Sequence, residues 1–152
     1  MFSLYLLLKF IHIAAAITAV GANITYGVWS TRVASQTAHL SFVLKTIRFL
    51  DNRIANPAYG VLFLTGLIMV FVGRWSITSF WIIAAIVLFI AIAAIGGAVF
   101  TPLVRNQIRL VDAGQEDSPE FVRLSRRNAM LGPGLGLLVV LILVMMVFKP
   151  TL

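Results

Sequence analysis

A bundle of four membrane-spanning helices, all-α, with helices extended into the cytoplasm, is the fold class that this sequence predicts. Three observations carry the prediction. The 152 residues are 61% hydrophobic and only 11% charged, with a mean hydropathy of +1.01. A soluble domain is about half apolar and a quarter charged, so the surface must suit lipid. Four stretches, residues 2–29, 57–73, 77–101 and 130–148, approach the length of about 20 apolar residues that crosses a hydrocarbon core. Basic residues gather in alternate connections between these stretches, as the positive-inside rule requires. The four spans leave no room for a second domain, and residues 1–152 are read as one.

The first span carries a polar or small stripe: Tyr5, Lys9, His12, Ala16, Ala19, Asn23, Tyr26 and Ser30. Steps of four and three place these side chains on one helix face. The remainder is Leu, Ile, Phe, Val and Ala. Unpaired polar groups in hydrocarbon cost several kcal/mol, so the stripe is expected to face other helices. The segment resembles a signal peptide only superficially. It exceeds the about 7–15 residues of a signal core, Lys9 interrupts it, and no clean small-residue cleavage site follows; a retained span is expected.

Residues 30–56 are amphipathic, with Leu40, Val43, Leu44, Ile47, Leu50 and Ile54 at helical spacing around Lys45, Arg48 and Arg53. This predicts an interfacial helix that runs into the second span and bends at Pro57. The second span holds Tyr59, Thr65 and Gly66 and closes in a short turn, where Ser76 or Thr78 can cap the third helix. In the third span Ala93, Gly96 and Gly97 predict close approach of a neighbouring backbone. An amphipathic tail is expected past Pro102. Residues 112–120 form the one evident loop, and Ser118 followed by Pro119 predicts the start of the last helix. Gly132, Pro133, Gly134 and Gly136 are expected to bend that helix and pack it tightly, Gly97 and Gly136 lying at helix contacts.

The net charge of +7 and isoelectric point near 10.9 do not indicate nucleic acid, because the basic residues flank spans, where they orient helices and meet anionic lipid. Residues 30–56 and 102–129 hold most of them, which predicts cytoplasmic connections and external termini. Without cysteine there is no disulfide, thiolate nucleophile or thiolate metal site.

Candidate chemistry centres on His12, with Lys9 and Tyr5 on the same face. His12 falls roughly 10 Å below the interface at 1.5 Å per residue. It either bridges helices, with Lys9 reaching the headgroups, or serves as a ligand or proton relay. Haem b is the sharpest version. The second histidine, His39, lies on a connection, which leaves five-coordinate haem, a partner ligand such as Met69, or a site shared between chains. Met145 and Met146 raise copper, although packing is the commoner role of methionine. Asn23, Tyr26, Asn56 and Tyr59 read as interhelical hydrogen bonds or as a polar vestibule. Arg105, Arg109, Arg123, Arg126 and Arg127 read as lipid or anion contacts. No intramembrane carboxylate pair, nucleophile motif, phosphate loop or metal-ligand spacing is evident.

Leu8-Lys9-Phe10-Ile11-His12-Ile13, Val20-Gly21, Leu64-Thr65-Gly66-Leu67 and the ending Met146-Val147-Phe148-Lys149-Pro150 resemble a family of small bacterial predicted integral membrane proteins. That family is distantly similar to the copper-resistance D membrane proteins and to the membrane protoporphyrinogen oxidases. The resemblance covers essentially the whole chain and implies a multi-pass protein of the bacterial inner membrane. In such relatives a histidine early in the first helix serves haem or copper, and His12 is the position that carries over. The further histidines of both branches are absent, and Ala19-Val20-Gly21-Ala22 stands where an aromatic residue and a glycine pair are common. The expected function is therefore a non-catalytic ligand- or cofactor-binding protein, as a homo-oligomer or a subunit of a membrane complex. A haem- or quinone-linked redox enzyme is the alternative, and a small ion or copper transporter the third.

Overall fold

The computed structural model describes residues 3–33 and 37–151. Phe2, expected to begin the first span, lies outside them. The elements are α1 (Leu4–Val33), a 3-10 turn (Thr37–His39), α2 (Leu40–Leu50), α3 (Asn56–Val72), α4 (Phe80–Ile95), α5 (Thr101–Asp112) and α6 (Pro119–Phe148). Single π-helical turns, Asp51–Ala55 and Gly96–Phe100, join α2 to α3 and α4 to α5. Among the described residues all regular structure is helical, and four helices are long and apolar enough to cross a membrane.

Both π turns have the same cause. Pro57 and Pro102 lack an N–H, and each ring would collide with the carbonyl four residues earlier in a regular helix. Widening the preceding turn removes the collision. Asn56 N–H reaches back to the Asp51 carbonyl, and Thr101 N–H to the Gly96 carbonyl, each one residue before its proline. The helices continue as Leu40–Val72 and Phe80–Asp112, 33 residues each. At 1.5 Å per residue that is about 50 Å, well beyond the about 30 Å of hydrocarbon, so one end of each extends outside it.

Successive long helices run antiparallel. Along α1 and α3 the paired positions are His12 with Thr65 and Asn23 with Tyr59. Along α4–α5 and α6, Trp81 and Ile82 pack near Met145 and Met146, and Gln107 meets Ser125 and Asn128. The α3 and α4 faces join through Phe63 stacked on Phe89, with Tyr59 edge-on to the same ring. Outside the hydrocarbon α2 lies along α5. Lys45 Nζ reaches Asp112 at 2.7 Å, Ser41 Oγ donates to the same carboxylate oxygen at 2.9 Å, and Arg48 reaches the Thr101 carbonyl at 3.5 Å.

The buried core is concentrated at the bundle's two ends. At the end opposite the termini Tyr26, Val33, Leu40, Val43, Leu44, Ile47, Ala55, Leu110 and Phe121 cluster. At the terminal end Val70, Trp81 and Ile82 form a smaller cluster. Water drives apolar burial where a helix leaves the membrane, while acyl chains already solvate apolar side chains within it. Phe10 and Phe71 are accordingly 70% and 72% exposed, a surface suited to lipid.

Ser79 rather than Ser76 or Thr78 is the N-cap of α4; those two hydroxyls bond each other at 2.6 Å. Ser118 caps α6 as expected, accepting from Phe121 N–H at 3.2 Å. The helix contacts expected at the glycines are not found. A Cβ added at Gly96, Gly97, Gly132, Gly134 or Gly136 would meet no protein atom within 4 Å, and α6 runs unbroken through Pro133. These glycines face open space, and the close approach is at Gly66 instead, where a Cβ would lie 3.1 Å from His12 Cε1.

Candidate functional site

The interface between α1 and α3 gathers the polar side chains of the first span. His12 is half-buried, and its Nδ1 lies 3.0 Å from Thr65 Oγ1. The Thr65 hydroxyl donates to the Val61 carbonyl at 2.7 Å, with the Leu62 carbonyl at 3.2 Å. Its single proton is thus committed to backbone, and its lone pairs accept from the imidazole. The Nδ1–H tautomer fits that arrangement and leaves a lone pair on Nε2; the Leu62 backbone is a further hydrogen-bond partner of the ring. A ring nitrogen anchored so that the other is presented as a base or ligand is the usual outer-shell arrangement of coordinating histidines. Gly66 permits it, since any side chain there would press on the ring edge.

Two turns farther along, Ala16 and Ala19 keep the seam narrow, Ala19 being wholly buried. Asn23 Nδ2 then donates to Tyr59 Oη and to the Ala19 carbonyl, both at 2.7 Å. Tyr26 is buried in the core at the end opposite the termini, and its hydroxyl has no hydrogen-bond partner among the described residues. Asn56 donates to Asp51 at 3.4 Å across the first π turn. Of the four polar residues expected here, Asn23 and Tyr59 pair with each other, Asn56 pairs with Asp51, and the Tyr26 hydroxyl has no partner among the described residues.

The other candidates separate. Tyr5 is half-buried one turn before Leu8, whereas Lys9 is exposed. His39 sits in the 3-10 turn beyond the far end of α1 and is exposed. Within one chain the described residues therefore offer one imidazole at the His12 level. That set fits a single axial bond to haem and does not fit a bis-histidine haem. No group of three or more His, Asp or Glu side chains able to hold a metal occurs among the described residues. Met145 and Met146 pack against the Val70, Trp81 and Ile82 cluster. Arg105 and Arg109 are exposed on α5, and Arg123, Arg126 and Arg127 line a groove along α6.

Several residues that build the interfaces were not singled out by sequence. Gln107 is 3% exposed; it donates to Ser125 Oγ at 3.1 Å and accepts from Asn128 at 3.3 Å. Its signal was its place between Leu103 and Leu110 on the apolar face of α5. Lys149 Nζ lies 4.4 Å from the Trp75 ring centre and 5.4 Å from that of Trp81, and the two indoles meet edge-on. No sequence spacing links residues so far apart. Asp112 is held below the usual carboxylate range by hydrogen bonds from Lys45 and Ser41.

No curated protein and no solved structure matches this chain. Residues 6–150 match the model of the family described as "Predicted integral membrane protein (DUF2269)". The apolar helices, the lipid-suited surface and this match along nearly the whole chain agree: the protein is a member of that family of integral membrane proteins.

Proposed function

We propose that the protein is a non-catalytic membrane protein that binds a small ligand or cofactor at Nε2 of His12, alone or as a subunit of a larger membrane complex. The observation that carries this reading is the Thr65–His12 contact, with the hydroxyl proton committed to Val61 and Gly66 leaving room for the ring. The basic connections support external termini, with residues 30–56 and 102–129 in the cytoplasm of a bacterial cell.

A haem- or quinone-linked redox enzyme is the second reading, favoured by the same atom. Haem would supply the redox chemistry, and His12 would hold it, with Thr65 fixing the ring. Transport of a small ion or copper stands third. The test is purification of the full chain and of His12→Leu in mild detergent, followed by absorption spectra and mass analysis of extracted small molecules. The wild type is expected to carry a ligand that His12→Leu, equally helical and equally dispersed, has lost. A Soret band would select the redox reading. Equal ligand content in the two proteins would overturn the role of His12.

A further inference from the structure

The strongest feature outside the seam lies where α6 enters its apolar stretch. Residues 130–148 make about 28 Å of helix, close to the hydrocarbon thickness. The preceding turns, holding Arg123, Arg126 and Arg127, therefore fall at headgroup depth whichever way the protein is oriented. An open groove of about 620 Å³ runs beside them, lined by the three arginines with Val122 and Met130, and by Asp117 toward the loop. Among the described residues none of these arginines is in an ion pair. A second cleft of about 250 Å³ adjoins it, between Val99 of the second π turn and Arg127, Met130 and Leu131 of α6. Arg127 and Met130 belong to both.

The two spaces form one amphipathic slot, with cations at the polar end and an apolar gap at the other. We propose that it binds one anionic phospholipid, with the phosphate against Arg123, Arg126 and Arg127 and an acyl chain between Val99 and Leu131. A free phosphate satisfies only the first part. A zwitterionic lipid brings its own cation to the arginines. An anionic lipid is complementary to both ends, and guanidinium suits the phosphate geometrically. This inference does not depend on any ligand at His12.

The test is a competition on the full-length wild type in detergent. Phosphatidylglycerol and phosphatidylcholine with identical acyl chains are offered in equal amounts, and bound lipid is counted by native mass spectrometry. Phosphatidylglycerol is expected to be retained in clear excess. Replacing arginines singly by Gln at 123, 126 and 127 should weaken its retention about fivefold each. The control R53Q, at an exposed arginine that lines neither cleft, should leave it unchanged. Equal retention of the two lipids by the wild type would overturn the proposal without any variant. Displacement of the lipid by millimolar inorganic phosphate would show a free-anion site and also overturn it. A loss in R53Q as large as that in the groove variants would show diffuse charge attraction, with no slot involved.

Discussion

Gly66→Ala tests whether the His12 ring is held or merely adjacent. In an unobstructed helix, Ala is more favourable than Gly by roughly 0.5–1 kcal/mol. Gly60, six residues earlier in α3, is such a position, since a Cβ there meets nothing within 4 Å. At Gly66 the added methyl would lie 3.1 Å from His12 Cε1 and 3.6 Å from Nδ1. Comfortable carbon contacts are about 3.5–4.0 Å, so the ring must retreat by a few tenths of an ångström. Retreat stretches the 3.0 Å bond to Thr65 toward the limit at which it ceases to be one. A net hydrogen bond is worth about 0.5–1.5 kcal/mol, enough to cancel or reverse the propensity gain. Gly60→Ala should therefore stabilise the protein, and Gly66→Ala should fall below it by about 0.5–1.5 kcal/mol. Reversible unfolding in detergent, followed by far-ultraviolet circular dichroism, measures both. Equal stabilisation at the two positions would show that the ring yields freely and that Thr65 does not hold it.

Four further outcomes follow from the interfaces outside the seam. Gln107→Leu should cost about 1–3 kcal/mol, because Ser125 and Asn128 lose their shared partner at a buried contact; a neutral result would mean that the pair is hydrated. Ser118→Ala should cost about 1 kcal/mol through the orphaned Phe121 N–H, read as a drop in melting temperature. Lys149→Met should lower stability by about 0.5–1 kcal/mol and alter tryptophan emission, since the ammonium lies against Trp75 and Trp81. Asp112 has a depressed pKa in the folded protein, so its contribution is present above the ordinary carboxylate value of about 3.9. It is lost as pH falls through the lowered one. Melting temperature against pH should accordingly show a small acid-side decline in the wild type that Asp112→Asn lacks.

The spans and their order were legible because each is a long apolar run, and lipid imposes a coarse rule that composition alone reveals. The amphipathic extensions were legible for a different reason: α2 and α5 leave the hydrocarbon, and water restores the helical alternation of burial around Val43, Ile47, Leu103 and Leu110. Ser118 was legible because a cap is local. Gly97 and Gly136 were misjudged because small residues in a span suit both a helix contact and an open cleft, and only the neighbours decide. Pro57 and Pro102 announced a disturbance within helices that continue past them, but not that a π turn would absorb it. His12 stood out as an ionisable residue on a seam. Its partner did not, because Thr65 is one of many hydroxyls in apolar helices and the tautomer depends on a bond to Val61 that no spacing reveals. Lys9 shares the stripe by spacing and is exposed.

The account rests on His12 donating from Nδ1 and keeping Nε2 free. Nitrogen-15 magnetic resonance of the histidine-labelled protein in lipid reads this directly, with His39→Gln leaving a single imidazole. Near neutral pH, before any ligand is added, Nδ1 should appear protonated and Nε2 unprotonated. Thr65→Val, which keeps the shape and removes the acceptor, should let the two tautomers mix. An imidazole protonated at Nε2, or a tautomer indifferent to Thr65→Val, would contradict the account.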